Sequence, residues 1–120
     1  MATQTESRHG GEFLISELNG HGSRAEITVV SGQNLPAGSV VGKITASGKY
    51  KDYDNAAVDG SETAAGVLYD AVDASAADKI GVIINRHAEV DGDVINWNAE
   101  VGGDITAGIV ELLALGILVR

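Results

Sequence analysis

Glycine punctuates a run of strand-forming sequence at residues 23–53, SRAEITVVSGQNLPAGSVVGKITASGKYKDY, and leaves room only for short strands joined by tight turns. In residues 24–31, Ile27 and Val29 alternate with Thr28 and Val30, the period of a half-buried strand. The only proline follows in Asn34-Leu35-Pro36-Ala37-Gly38 and breaks the chain at a turn. Val40, Val41 and Ile44 predict a second strand over residues 39–45, a polar hairpin occupies 46–49, and Tyr50 and Tyr53 mark a third strand. Residues 52–62 read as an acidic surface loop. Residues 65–69 and 80–86 read as two further strands, Gly81-Val82-Ile83-Ile84 being apolar enough to be central. Val90-Asp91-Gly92-Asp93-Val94 carries a hairpin signal, because Asp-Gly tolerates the positive φ of a primed turn.

The period changes at the end of the chain. After Gly102-Gly103, Asp104 is a natural N-cap, and Ile105, Ile109, Leu112 and Leu113 fall on one helical face. Val110 and Leu115 widen that apolar sector, Gly116 can end the helix in the left-handed conformation, and Ile117-Leu118-Val119 predicts a last short strand. The expected fold is mainly β with one short C-terminal helix, a β-rich domain over 23–120 preceded by a flexible N-terminal arm over 1–22. The arm is polar apart from Phe13-Leu14-Ile15, an apolar triplet stranded between Gly10-Gly11 and Asn19-Gly20. That triplet either packs back on the domain or docks on a partner.

The core such a sequence can build is unusual. Aromatic residues are 4% of the 120, so Ala, Val, Ile and Leu carry nearly all the packing. Each buries little area, at about 25 cal/mol per Å², and association of several copies is one common remedy for a thin core. The net charge of −9 disfavours nucleic acid and anionic membrane surfaces. Cysteine is absent, which removes disulfides, thiolate catalysis and zinc–thiolate sites. No apolar run approaches the roughly 18 residues of a membrane span, and a soluble chain that is cytoplasmic when made is expected.

Chemical motifs fare poorly. Gly20-His21-Gly22-Ser23-Arg24-Ala25 has the letters of a dinucleotide-binding turn, but a strand follows it where the pyrophosphate needs a helix N-terminus. Gly38-Ser39-Val40-Val41-Gly42-Lys43 is one residue short of a phosphate loop, with Ile44 where a Mg²⁺-binding hydroxyl belongs. Asp52, Asp54, Asn55 and Asp59 lack the glycine and glutamate spacing of a calcium loop. His9, His21 and His87 are scattered, so no metal is expected. A hydrolase would need shifted carboxylates among Asp70, Asp73 and Glu89; no catalytic constellation supports one, and no enzyme activity or cofactor is expected.

The order and spacing of several pieces resemble the head decoration protein family of tailed bacteriophages, the lambda protein D type. They are Ser23-Arg24, Ser31-Gly32-Gln33, Pro36-Ala37-Gly38-Ser39-Val40-Val41-Gly42-Lys43, Gly48-Lys49-Tyr50, Asp59-Gly60-Ser61, Ala64-Ala65-Gly66-Val67-Leu68, Ala71-Val72-Asp73 and the segment ending in Trp97. The resemblance implies a small β-clip-like protein assembled as a homotrimer on the outside of an expanded capsid. There it would contact the major capsid protein and cement the shell against packaged DNA. It also implies an arm that orders on the shell, with Phe13, Leu14, Ile15 and Leu18 as candidate anchors. Trp97, Ile105, Ile109 and Leu112 are candidate trimer-interface residues. Deleting residues 1–18 would then spare folding and abolish shell binding. The alternative is a small β-rich ligand- or carbohydrate-binding module, with its pocket near Trp97, Tyr50 or Tyr53.

Overall fold

Three apolar doublets decide the architecture: Val40-Val41, Val67-Leu68 and Ile83-Ile84, all fully buried. Neighbouring side chains on a strand point to opposite faces, so a doublet buried at both positions needs a core on each side of its sheet. The computed structural model describes residues 10–17, 22–97 and 105–120. Its strands are β1 (Leu14–Glu17), β2 (Arg24–Val29), β3 (Gln33–Leu35), β4 (Val40–Lys43), β5 (Tyr50–Asp52), β6 (Ala64–Leu68), β7 (Val72–Ala74), β8 (Lys79–Ile84) and β9 (Ala88–Val90). Helix α1 (Ile105–Ala114) and β10 (Ile117–Val119) follow. The architecture is mainly β with one short C-terminal helix, as the sequence indicates.

Five strands close a barrel in the order β2-β5-β4-β6-β8. The longest seam is antiparallel, β2 against β8, from Arg24↔Ile84 to Val29↔Lys79. Val41, Leu68 and Ile83 join Val29 from β2 in one buried cluster, with Ala25, Ile27 and Tyr50 packed on it. Side chains from all five barrel strands meet there, so this cluster is the barrel interior. Leu35, Val72 and Ala74 extend it onto the two-stranded pair β3-β7. Their doublet partners Val40, Val67 and Ile84 face the other way. They join a second cluster with Phe13, Tyr53, Val90, Ile95, Trp97, Leu112 and Ile117. Its far wall is the three-stranded sheet β1-β9-β10 together with α1.

Two turns show how local chemistry positions these layers. Gly38, at φ +81°, is the third residue of the turn closed by Ser39 N donating to Pro36 O, where only a residue tolerant of positive φ fits. Gly42 sits beside the irregular register between β4 and β6, and a Cβ there would lie 2.5 Å from the Ser61 carbonyl oxygen. Ser61, near the end of the loop after β5, thereby passes directly against β4.

The Asp-Gly segment after β9 departs from the expected hairpin. Val94 N and Ile95 N both donate to Asp91 O, a helix-like turn, and Gly92 does not take positive φ. The chain therefore does not pair back on β9. It runs on to Asn96, which bridges Ser39 in parallel, and β9 pairs with β1 and β10 instead. Asp104, the expected N-cap, lies outside the described residues.

Candidate docking surfaces

The first candidate site is the segment around the apolar triplet. Gly11, at φ +74°, donates its amide to Tyr69 O at 2.9 Å, and a Cβ there would lie 2.8 Å from the Tyr69 hydroxyl. This close approach turns the chain so that Phe13 enters the outer core, where it is 1% exposed. Asp91 N donates to Phe13 O at 2.8 Å, and β1 then pairs antiparallel with β9. Leu14 is half-buried against the same core, while Ile15, at the break in register between Leu14 and Ser16, is 51% exposed.

The strand's end is clamped. Arg24 donates to both carboxylate oxygens of Glu17, Nε at 3.0 Å and Nη2 at 2.6 Å, and its guanidinium lies 4.2 Å from the Tyr69 ring centroid. The Glu17 hydrogen bond also pushes the Arg24 pKa up. A second set of bonds ties the start of β2 to the turn between β8 and β9. The buried Ser23 hydroxyl donates to His87 O at 2.9 Å, and Arg86 Nε donates to Gly22 O at 2.6 Å. Residues 10–17 thus pack on the barrel and its outer core, with Leu14–Glu17 as strand β1. A cut at residue 18, expected from the sequence to spare folding, would remove Phe13, which is core. Of the four candidate anchors, Phe13 is core, Leu14 supports it, Ile15 faces solvent, and Leu18 lies outside the described residues.

Helix α1 is the second candidate. It buries Gly108 and Leu112. A Cβ on Gly108 would sit 2.7 Å from the Trp97 ring and 3.3 Å from that of Tyr53, so glycine lets the helix lie directly on the two aromatics. Glu111 accepts from Ala64 N at 3.2 Å and fixes the helix to β6. Trp97 itself is buried, its indole N–H donating to Gly92 O at 3.3 Å. The four candidate interface residues therefore separate: Trp97 and Leu112 belong to the core, and Ile105 and Ile109 are exposed. Val110 and Leu113, in the widened apolar sector that the sequence leaves for either the sheet or a neighbouring subunit, are exposed beside them. The signal for them was the width of the apolar sector.

The ligand-pocket and hydrolase readings find less. Trp97 and Tyr53 lie inside the core, away from solvent. Tyr50 lines an open cleft of about 350 Å³ with Glu26, Thr28, Lys43 and Ile80. Asp70 accepts the neighbouring Ala71 amide at 2.8 Å, and Glu89 is held by Arg120 through two bonds at 3.1 and 3.2 Å. The Ser75 hydroxyl and amide pull Asp73 below the usual carboxylate range, the wrong direction for a general acid. Burial raises Asp52 above the usual carboxylate range, against the opposing charge of Lys51 and with a smaller push from Asp54. Among the described residues no group of three or more His, Asp or Glu could hold a metal ion, and no helix is long and apolar enough to cross a membrane.

These surfaces, a clamped N-terminal strand and an apolar helix face on a small barrel, belong to a chain that matches a family model almost throughout. The model is that of bacteriophage lambda head decoration protein D, and the match covers residues 3–117. The chain belongs to that family. Head decoration proteins are structural components of phage heads, so membership gives this chain a capsid role and associates it with the phage capsid in the virion. The family is structural and not a family of enzymes. No curated protein matches the chain.

Proposed function

We propose that the protein is a cementing protein: it binds the exterior of an expanded phage head as a homotrimer, contacts the major capsid protein, and stabilises the shell against the pressure of packaged DNA. It is made in the host cytoplasm and carries out its role on the virion. The observation that carries this reading is the family match over residues 3–117. The surfaces are consistent with it, because they offer apolar area and strand edges.

The N-terminal segment is the shell-binding element of this reading, with Ile15 and Leu18 as its apolar anchors. Ordering each residue of such a segment costs on the order of 1–2 kcal/mol, and a backbone hydrogen bond returns about 0.5–1.5 kcal/mol net. One segment is therefore near break-even, and three on one assembly convert weak docking into avid binding. Because Phe13 is core, the informative truncation stops before Gly10. The test is co-sedimentation with expanded, undecorated shells. The full chain is expected to saturate near one copy per shell subunit in groups of three, a chain lacking residues 1–9 to fold normally, and Ile15→Asp, which removes an anchor and leaves Phe13 in the core, to fold normally but bind weakly. Failure of the full chain to sediment with such shells rejects the reading.

A further inference from the structure

We propose that copies of this chain meet one another through the outer face of α1, formed by Ile105, Ile109, Val110 and Leu113. This rests on the reading above that the protein acts as an assembly of copies, and names the surface that makes it. The four residues follow one another at helical spacing and remain 39–64% exposed, while the opposite side of the helix packs on Trp97 and Tyr53 through Gly108. Single exposed aliphatics are ordinary on a protein surface. Four on one face of a ten-residue helix form a continuous apolar patch.

Charge identifies the occupant. From Ile105 to Val119 the only ionisable side chain is Glu111, and it is turned away to the Ala64 amide. Elsewhere acids outnumber bases, with Asp52, Asp54, Asp59 and Glu62 in one loop, Asp70, Asp73 and Asp78 around β7, and Asp91 and Asp93 after β9, while Arg24, Lys49, Lys51 and Arg120 are paired with carboxylates of the same chain. A partner selected for an acidic protein would be held at those carboxylates. Two copies, each at −9, repel on average, and least where the charge is missing. A second copy supplies a matching aliphatic stripe and brings no carboxylates into the contact.

This origin fixes the sign of the salt dependence. Screening between like-charged copies strengthens as the Debye length falls from about 30 Å at 0.01 M to about 8 Å at 0.15 M. Association through α1 tightens across that range, whereas an interface held by ion pairs would loosen.

The test is sedimentation equilibrium of the full chain over protein and salt concentration, compared with Val110→Asp/Leu113→Asp. The wild type is expected to self-associate more tightly as salt rises, and the double variant to associate roughly a hundredfold more weakly because each contact would bury an unpaired carboxylate. Should the aspartates unfold the helix, Val110→Ala/Leu113→Ala keeps its propensity and is expected to weaken association in the same direction. A wild type monomeric at all salt concentrations, association that loosens with salt, or a folded variant with wild-type association overturns the proposal. So does a variant that keeps its mass but loses shell binding, since α1 would then face the shell. Self-association through α1 without shell binding would reject the decoration reading and leave this surface standing.

Discussion

The barrel interior and the outer core are built from the same aliphatic alphabet but by different parts of the chain. The interior draws on the uninterrupted stretch from Ala25 to Ile83, and neighbouring strands of the closed barrel supply every wall. The outer core draws on both ends of the chain: Phe13 from one, Leu112 and Ile117 from the other, laid over Val40, Val67 and Ile84. A closed barrel has no free edge and its closing seam joins residues about 50–60 positions apart, whereas the outer layer requires contacts between residues about a hundred positions apart. The outer layer is therefore the part that should open first, and it carries both candidate docking surfaces.

The largest test of this difference pairs two truncations. Phe13→Ala in the outer core is expected to cost about 3–5 kcal/mol and Leu68→Ala in the barrel about 2–5 kcal/mol. Chemical denaturation gives the totals, and hydrogen exchange separates the regions. Phe13→Ala should speed exchange in β1, β9 and α1 while β2 and β8 keep their protection. Equal acceleration everywhere would mean that the two cores unfold as one unit.

A smaller effect probes the seam between α1 and the outer core. Gly108→Ala places a methyl 2.7 Å from the Trp97 ring, and the overpacking should cost about 1–3 kcal/mol despite the better helix propensity of alanine. Trp97 fluorescence should shift with it. A stabilised variant would mean that the helix moves away freely, and that the outer core is looser than its burial suggests.

The smallest effect is in acid. Asp59 is held below its ordinary range first by the Ser61 hydroxyl, Asp73 first by that of Ser75, and Asp78 first by Lys49 and then by the Ser31 amide. Their folded pKa values are depressed, so the stability they contribute is present above the unfolded carboxylate range and fades as pH falls through the folded values. Burial raises Asp52, which works in the opposite sense and gains as it is protonated. Asp78→Asn should flatten the acid limb of a stability–pH curve and Asp52→Asn should steepen it; identical curves would remove these turns from the acid response.

The sequence made the barrel more legible than the outer layer, for physical reasons. Ile27 and Val29 alternate with polar neighbours, and Ile83-Ile84 is continuously apolar, so β2 and β8 declare themselves by period. β3 and β7 are three residues each, Gln33–Leu35 and Val72–Ala74, too short for any period to register. Phe13 lies in a triplet beside two glycines, and only the distant Val90 and Ile117 reveal that it is core. The helix was legible as a helix, but which apolar residues face inward was not. Trp97 fills the space under Gly108, so Leu112 turns in and Ile109 and Leu113 stay out.

The three-stranded sheet has a mechanical consequence. β1 runs antiparallel and β10 parallel to the β9 strand between them, which sets Leu14 and Val119 both opposite Val90. The two outer strands are then separated by about 10 Å, two strand spacings, at the same end of the sheet. Tension applied between those residues peels each strand from β9 one bond at a time, like a zip opened from its end. Tension carried by the long β2–β8 seam instead loads its bonds together in shear, so force on an anchored molecule is better borne by the barrel than by its ends.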